Sequence, residues 1–118
     1  MDLQLKRNIE QLISLLRLPA CQVDDVIEIH QNTFGLRLEV CDRRLMMSSW
    51  LIGRQGHHLE KALKRNQPER FGGLPQRLFP IREHLFISAL CPPEYDAHQW
   101  FHLCQKQRQF LAQINEGE

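Results

Sequence analysis

Residues 34–41 alternate strictly between large apolar side chains and polar or small ones. The apolar positions are Phe34, Leu36, Leu38 and Val40. Because successive side chains of a strand point to opposite faces, this pattern predicts a strand with one buried and one wet face. A sheet of such strands needs another layer against its buried face, and this need constrains the rest of the chain.

Two further strands flank this one, at 23–30 and 45–52, with turns at Gln31-Asn32 and Asp42-Arg43. Such short connections predict a meander of three antiparallel strands. Residues 76–81 and 85–90 predict two more short strands, joined near Arg82-Glu83. Pro80 lacks a backbone N–H, so the strand that contains it is expected at an edge of the sheet.

Helical spacing appears at both ends of the chain. Residues 2–17 predict an amphipathic helix, capped by Asp2 and ended by Pro19. A short helix with a basic C-terminal end is predicted over 57–66, and a last helix over 94–114 carries a broad apolar stripe. The fold class is α+β, a single domain over 1–118 in the order α-β-β-β-α-β-β-α. Its mostly antiparallel sheet is packed by the N- and C-terminal helices.

Length and charge narrow the class of function. The 118 residues allow one domain, and 15 basic against 14 acidic residues give a net charge of +1. No overall field attracts nucleic acid or a membrane surface, and no apolar run approaches the roughly 18 residues of a membrane span. The N-terminus lacks the order of a signal peptide, so we expect a cytoplasmic location.

The residues that catalysis would need do not converge in the sequence. Ser48-Ser49 lies in the middle of a strand, where hydroxyls commonly face solvent. Asp24 and Asp25 are strand neighbours that point to opposite faces. No nucleophile motif and no phosphate-binding motif is present, so we expect neither an enzyme nor a cofactor.

A metal site is also not expected. His98 and His102 share a helix face, but three or four ligands are required, and the histidines are interpreted as solvated or partly packed. The four cysteines are interpreted as small buried apolar residues. They are Cys21, Cys41, Cys91 and Cys104.

The segment Gly53-Arg54-Gln55-Gly56 offers an alternative function. It resembles the glycine loop with which KH domains clamp single-stranded RNA, and basic residues follow it. However, the KH loop joins two helices, whereas the residues before Gly53 alternate like a strand. The two glycines are equally typical of a strand-to-helix turn.

Apolar and aromatic side chains exceed what so short a chain readily covers. Exposed apolar patches and strand edges bind partners, so this surplus favours a protein-binding function. We expect the first helix and the second strand to supply the contacts. The candidate residues are Leu5, Ile9, Leu36 and Leu38.

The order of elements resembles that of class I chaperones of bacterial type III secretion. More locally, the segments 73–79, 81–85 and 91–93 are similar to the small gatekeeper chaperones of that group, the SycN, SsaM and CesL type. The stretches 6–13 and 100–111 are similar as well. Gly73-Leu74-Pro75-Gln76-Arg77-Leu78-Phe79 is the most specific of these segments.

The resemblance implies a non-enzymatic protein that binds the gatekeeper of the secretion apparatus, often with a second small chaperone. Such a complex holds back effectors while translocators are exported first. Class I chaperones are commonly acidic, and their second helix often contributes to a dimer interface. The net charge here is +1 and the second helix is basic, so a mixed dimer fits as well as a homodimer.

Overall fold

The computed structural model describes residues 2–52 and 58–116 and confirms the predicted fold class and order of elements. Three α-helices, one 3-10 helix and five strands follow one another along the described residues. They are α1 (Leu3–Leu15), β1 (Val26–Gln31), β2 (Phe34–Cys41), β3 (Arg44–Leu51), α2 (Leu59–Arg65), a 3-10 helix (Pro68–Phe71), β4 (Arg77–Ile81), β5 (His84–Leu90) and α3 (Ala97–Glu116).

The five strands form one sheet in the order β1-β2-β3-β5-β4, and every neighbouring pair is antiparallel. The last strand of the sequence is therefore inserted between β3 and β4. This leaves β1 and β4 as the two edges. Pro80 lies in β4, so the prediction that its strand is an edge strand is confirmed.

Tight turns fix the register of the hairpins. Asp42 and Arg43, between β2 and β3, have φ angles of 50° and 66°. Positive φ at both central residues is the type I′ geometry, whose twist matches that of the strands it joins. Asn32 and Arg82 adopt positive φ at the other two hairpins, with values of 57° and 56°. The first turn lies one residue later than predicted, because β1 continues through Gln31.

Local capping sets the ends of the long helices. Asp2 accepts a hydrogen bond from the Leu5 N–H at 2.7 Å and caps α1 as predicted. The helix ends at Leu15, before the predicted residue 17, because Arg17 adopts a left-handed conformation with a φ of 60°. The prediction that Pro19 ends the helix was therefore wrong.

The last helix begins at Ala97, three residues later than predicted. Asp96 and Gln99 form a reciprocal pair, in which the Gln99 N–H donates to Asp96 Oδ1 at 3.0 Å and the Asp96 N–H donates to Gln99 Oε1 at 2.8 Å. This capping box satisfies N–H groups at the start of α3 and so fixes where the helix starts.

The core lies between the sheet and the two long helices. Ile9 and Leu12 of α1 and Leu36, Met47 and Ile87 of the sheet are at most 1% exposed. α1 and α3 pack against each other and against the same face of the sheet, here called the inner face. α2 packs beside β4, and Lys61 donates to the Ile114 carbonyl near the end of α3 at 3.1 Å.

The first strand begins at Val26 and not at Val23. Asp24 and Asp25 consequently precede the strand, and both are exposed. The prediction that they are strand neighbours on opposite faces was therefore wrong. Val23 is buried but does not belong to the sheet. Because its side chain is apolar and buried, the sequence pattern predicted that the strand begins there.

A candidate protein-binding surface on the outer face of the sheet

The second face of the sheet, here called the outer face, carries no helix in the described part of the chain. Its side chains are those that alternate with the core positions on all five strands. Lateral pairing arranges them in rows that run across the strands. A sheet with one such face is open to contact by another molecule.

One row is almost entirely aromatic. His30, Gly35, Trp50, Phe86 and Phe79 are lateral neighbours across all five strands. Trp50 stacks on Phe86 with centroids 4.5 Å apart, and Phe86 and Phe79 are 5.7 Å apart. His30 meets the edge of Trp50 at 6.0 Å. We call these residues the aromatic row.

Gly35 makes the row possible. A Cβ at this position would overlap the Trp50 indole, since three indole ring atoms occupy that space. The indole therefore lies across β2 and reaches β1. It is only 8% exposed although it belongs to the outer face. Glycine is needed at this position because only its missing side chain lets the Trp50 indole pack directly on the backbone of β2.

The next row is polar, and its central side chains are short. Glu28, Arg37, Ser48, Ser88 and Arg77 are lateral neighbours. The two serines lie in the middle, and Ser48 Oγ donates to Ser88 Oγ at 2.8 Å. Because serine is small, this row forms the floor of an open groove.

The groove has a volume of about 290 Å³, and we call it the outer groove. Phe79, Ile81 and Phe86 line it from β4 and β5, and Met46 lines it from β3. Arg77 and Arg37 stand at its two ends, three strand spacings or about 14 Å apart. An apolar channel with charged ends suits the side chains of a protein segment.

The charges at the two ends differ. Arg37 Nε lies 3.6 Å from Glu39 Oε1, and Glu28 Oε2 lies 3.2 Å from His30 Nε2. Within the described residues, the side chain of Arg77 makes no ion pair or hydrogen bond. The β4 end of the outer groove therefore presents an uncompensated positive charge, whereas the β2 end does not.

Of the five exposed large apolar side chains in the described residues, Leu3 and Leu63 lie on helices and the other three lie on this face. Val26, Ile81 and Leu90 belong to it and are 46%, 46% and 38% exposed. Together with the apolar side chains of the outer groove they form an exposed apolar area, interrupted by Glu39 between Val26 and Met46, that no other described element covers. An area of this kind marks an interaction site.

The residues predicted from the sequence as partner contacts lie elsewhere. Leu5, Ile9, Leu36 and Leu38 are 8%, 0%, 0% and 1% exposed, and all four belong to the core under the inner face. They are close together, but a partner reaches them only if α1 leaves the sheet. Their role as contacts stays a prediction that the exposed surface does not favour.

Ser48 and Ser49 correct a second expectation. Both are buried, at 8% and 0% exposed, where the sequence predicted hydroxyls that face solvent. Ser49 Oγ donates to Gln107 Oε1 at 2.7 Å, and Gln107 Nε2 donates to Gln76 Oε1 at 2.9 Å. The two hydroxyls therefore form buried hydrogen bonds to β5 and to α3. The alternation of side chains along a strand does not predict such bonds.

The cysteines divide into two kinds. Cys91 and Cys104 are buried as predicted, but Cys21 is exposed and Cys41 is half-buried. Cys21 lies between α1 and β1, and Cys41 is on the outer face of β2. Burial raises the pKa of Cys91 to about 12 against a smaller opposing effect of Arg44. Burial likewise raises the pKa of Cys104, with Arg108 opposing. Both thiols stay protonated near neutral pH and are poor nucleophiles.

The two histidines of α3 are exposed. His98 and His102 lie on the solvent side of the helix. Across residues 2–52 and 58–116, no three His, Cys, Asp or Glu side chains come together in a way that could hold a metal ion. No helix in the same ranges is long and apolar enough to cross a membrane.

The glycine loop with the KH resemblance, Gly53 to Gly56, lies outside the described residues, as does His57. Its flanking elements are described. β3 ends at Leu51 and α2 begins at Leu59, so the loop connects a strand to a helix. The KH loop joins two helices, and the surroundings of this loop therefore differ from those of a KH domain.

Two solved structures share this fold. The SpcS complex with ExoT from Pseudomonas aeruginosa covers 100% of both chains, with a TM-score of 0.63 at 20% identity. The ExsC–ExsE complex covers 94% of this chain and 92% of its own, with a TM-score of 0.64 at 12% identity. The three helices and the five-stranded antiparallel sheet, in this order, are thus a fold that this chain shares with both complexes.

Sequence comparison identifies the family. The profile of the SsaM family matches residues 2–114. The secretion system apparatus protein SsaM of Salmonella typhimurium is 30% identical over 117 residues, which is 93% of this chain and 92% of that protein. The chain belongs to the SsaM family and is a type III secretion chaperone-like protein.

Sequence reasoning missed the outer face as a candidate site. The signal was present in part, because Phe79, Ile81, Phe86 and Leu90 occupy the positions that alternate with core residues of β4 and β5. What the sequence could not reveal is that β5 pairs with β3. This pairing places Trp50 beside Phe86 and joins the two halves of the row.

Proposed function

We propose that this protein is a non-enzymatic chaperone that binds the gatekeeper protein of a type III secretion apparatus. In this role it helps to control the order in which translocators and effectors are exported. The observation that carries the proposal is the uncovered outer face, with its aromatic row, outer groove and exposed apolar side chains. Membership of the SsaM family supports it.

Binding through this face needs no chemical step. Burial of apolar area contributes about 25 cal/mol per Å², and the free edge of β1 can add a strand of the partner by main-chain hydrogen bonds. The buried thiols are protonated and the strand serines are hydrogen-bonded to other side chains. Cys91, Cys104 and the two strand serines are thus committed to packing.

Two arrangements of the complex are compatible with the proposal. The chain binds the gatekeeper either as a mixed dimer with a second small chaperone or as a homodimer. Both solved structures that share the fold are complexes of two named proteins, ExoT with SpcS and ExsC with ExsE. We place the complex in the bacterial cytoplasm, at the cytoplasmic face of the secretion apparatus.

The proposal is tested by co-expressing this protein with the gatekeeper from the same secretion gene cluster. The second small chaperone is included in one arm and omitted from the other. Mass measurement of the intact purified assembly gives its stoichiometry. A complex that contains the gatekeeper is expected, and recovery of this chain alone in both arms would refute the proposal.

The role in export order needs its own measurement. Deletion of the gene is expected to release effectors into the medium under conditions in which only translocators are normally secreted. Plasmid-borne wild-type protein should restore the order. An unchanged order of export in the deletion strain would refute the role in controlling secretion. It would leave the binding of the gatekeeper untouched.

A further inference from the structure

We propose that the outer groove binds a segment of the client protein in which a carboxylate lies beside apolar side chains, with the carboxylate bonded to Arg77. This inference rests on the proposed function and specifies which residues of this chain select the client. The apolar side chains of the segment lie over Ser48 and Ser88, against Phe79 and Phe86.

The shape of the outer groove favours a segment over a small molecule. Its volume of about 290 Å³ is at the lower limit of ligand pockets, and it is an open channel across the strands. Its floor is already satisfied, because Ser48 and Ser88 are hydrogen-bonded to each other at 2.8 Å. Apolar side chains can therefore cover the floor while each of the two hydroxyls keeps one hydrogen bond.

The charges supply the specificity. Arg77 is exposed on β4 and, in the ranges 2–52 and 58–116, has no acidic neighbour within ion-pair distance. A guanidinium binds a carboxylate through two parallel hydrogen bonds, and this bond strengthens when apolar groups exclude water around it. Phe79, two residues along on the same face, provides such an apolar wall.

The same charges disfavour a second copy of this chain as the occupant. The carboxylates that this chain presents on the described outer face are Glu28 and Glu39, and both already have partners, His30 and Arg37. If two copies packed outer face against outer face, the second copy would have to break one of these contacts in order to reach Arg77. A different protein can bring a carboxylate that is not committed.

The first experiment is a charge reversal. Arg77→Glu is titrated with the purified gatekeeper, and we expect its dissociation constant to rise at least about tenfold relative to wild type. Arg7→Glu is the matched control, because Arg7 is exposed on α1 and the change in net charge is the same. It should bind within about twofold of wild type, and thermal unfolding checks that both variants are folded.

The second experiment identifies the occupant. Benzoylphenylalanine at position 79 is photo-activated in the complex, and the cross-linked peptide is sequenced by mass spectrometry. We expect a gatekeeper peptide with Asp or Glu within about four residues of the cross-link. Reversal of that acidic residue to Arg should restore the binding of Arg77→Glu.

The outcomes separate this inference from the proposed function. If the complex forms but Arg77→Glu binds as wild type, the inference fails and the proposed function stands. Cross-links from position 79 to a second copy of this chain, or to the second small chaperone, also overturn it, as does a complex without any cross-link at this position. If the wild-type chain does not bind the gatekeeper, both fail together.

Discussion

At the scale of single residues, Gly35 determines how the outer face is covered. Without a side chain at this position, the Trp50 indole can lie across β2 and contact both Phe86 and His30. One large ring thereby shields three strands. The glycine is needed for space, since the backbone here is an ordinary strand within the pairing register.

We expect Gly35→Ala to displace the Trp50 indole and to lower the free energy of unfolding by about 1–3 kcal/mol, the usual cost of overpacking. The measurement is urea unfolding together with the near-ultraviolet circular dichroism of the aromatic side chains. In a Trp50→Leu background the same substitution should cost much less. An equal cost in both backgrounds would show that the indole is not what Gly35 accommodates.

Cys91 gives a prediction about pH. The pKa of its thiol is about 12 in the folded protein, above the ordinary value of 9.0, because burial disfavours the thiolate. The neutral thiol therefore stabilises the fold fully below about pH 9, and this contribution is lost as the pH rises toward 12. The loss amounts to at most about 1.4 kcal/mol per pH unit.

The test compares wild type with Cys91→Ala by urea unfolding at about pH 7 and about pH 10. The difference in stability between the two proteins should be smaller at the higher pH, because only wild type contains the thiol. Other groups that titrate in this range cancel in the comparison. A difference that does not change with pH would contradict the assignment.

At the scale of secondary-structure elements, a buried polar network fastens α3 to the sheet. Gln107 is 0% exposed, accepts from Ser49, and donates to Gln76 just before β4. It also donates to the Met47 carbonyl at 3.4 Å. The network thus ties one position of the last helix to β3 and to the start of an edge strand.

We expect Gln107→Leu to destabilise the protein, because it leaves the Gln76 amide oxygen buried and unpaired at a cost of about 1–3 kcal/mol. Gln105→Leu is the control, since Gln105 is exposed on the same helix. Urea unfolding of both variants measures the effect. If the two substitutions cost the same, the network contributes nothing specific to stability.

The elements that the sequence predicted well are those with a clear period. β2 matches its prediction at both ends, because strict alternation between a buried and a wet face determines the period over all eight residues. Helix ends were less predictable. Arg17 ends α1 by adopting a left-handed conformation, and the Asp96–Gln99 pair starts α3, so single residues override the apolar pattern.

At the scale of the whole molecule, the order of the strands determines the candidate site. Alternation identifies which side chains share a face of a strand, but not which strands are neighbours. The insertion of β5 between β3 and β4 depends on long-range pairing. For this reason the core residues Leu36 and Leu38 looked like partner contacts, while the outer groove could not be recognised.

Paired substitutions separate the two faces of the sheet. Leu36→Asp is expected to unfold the protein, because it places a carboxylate at a core position that is 0% exposed. Leu90→Asp, at an outer position that is 38% exposed, should leave the fold intact and weaken binding of the partner. Circular dichroism measures whether each variant is folded, and titration with the gatekeeper measures its binding. A folded Leu36→Asp variant that only loses its partner would restore the four core residues as the contact site.

The strand order also has a consequence in time. During synthesis the β1–β2–β3 meander emerges first, and of the residues that line the outer groove it carries Arg37, Glu39, Met46 and Ser48. The opposite wall and half of the floor come from residues 77–88, which follow after an intervening helix. A nascent chain therefore cannot present the completed surface before residues 77–88 have emerged and paired with the meander.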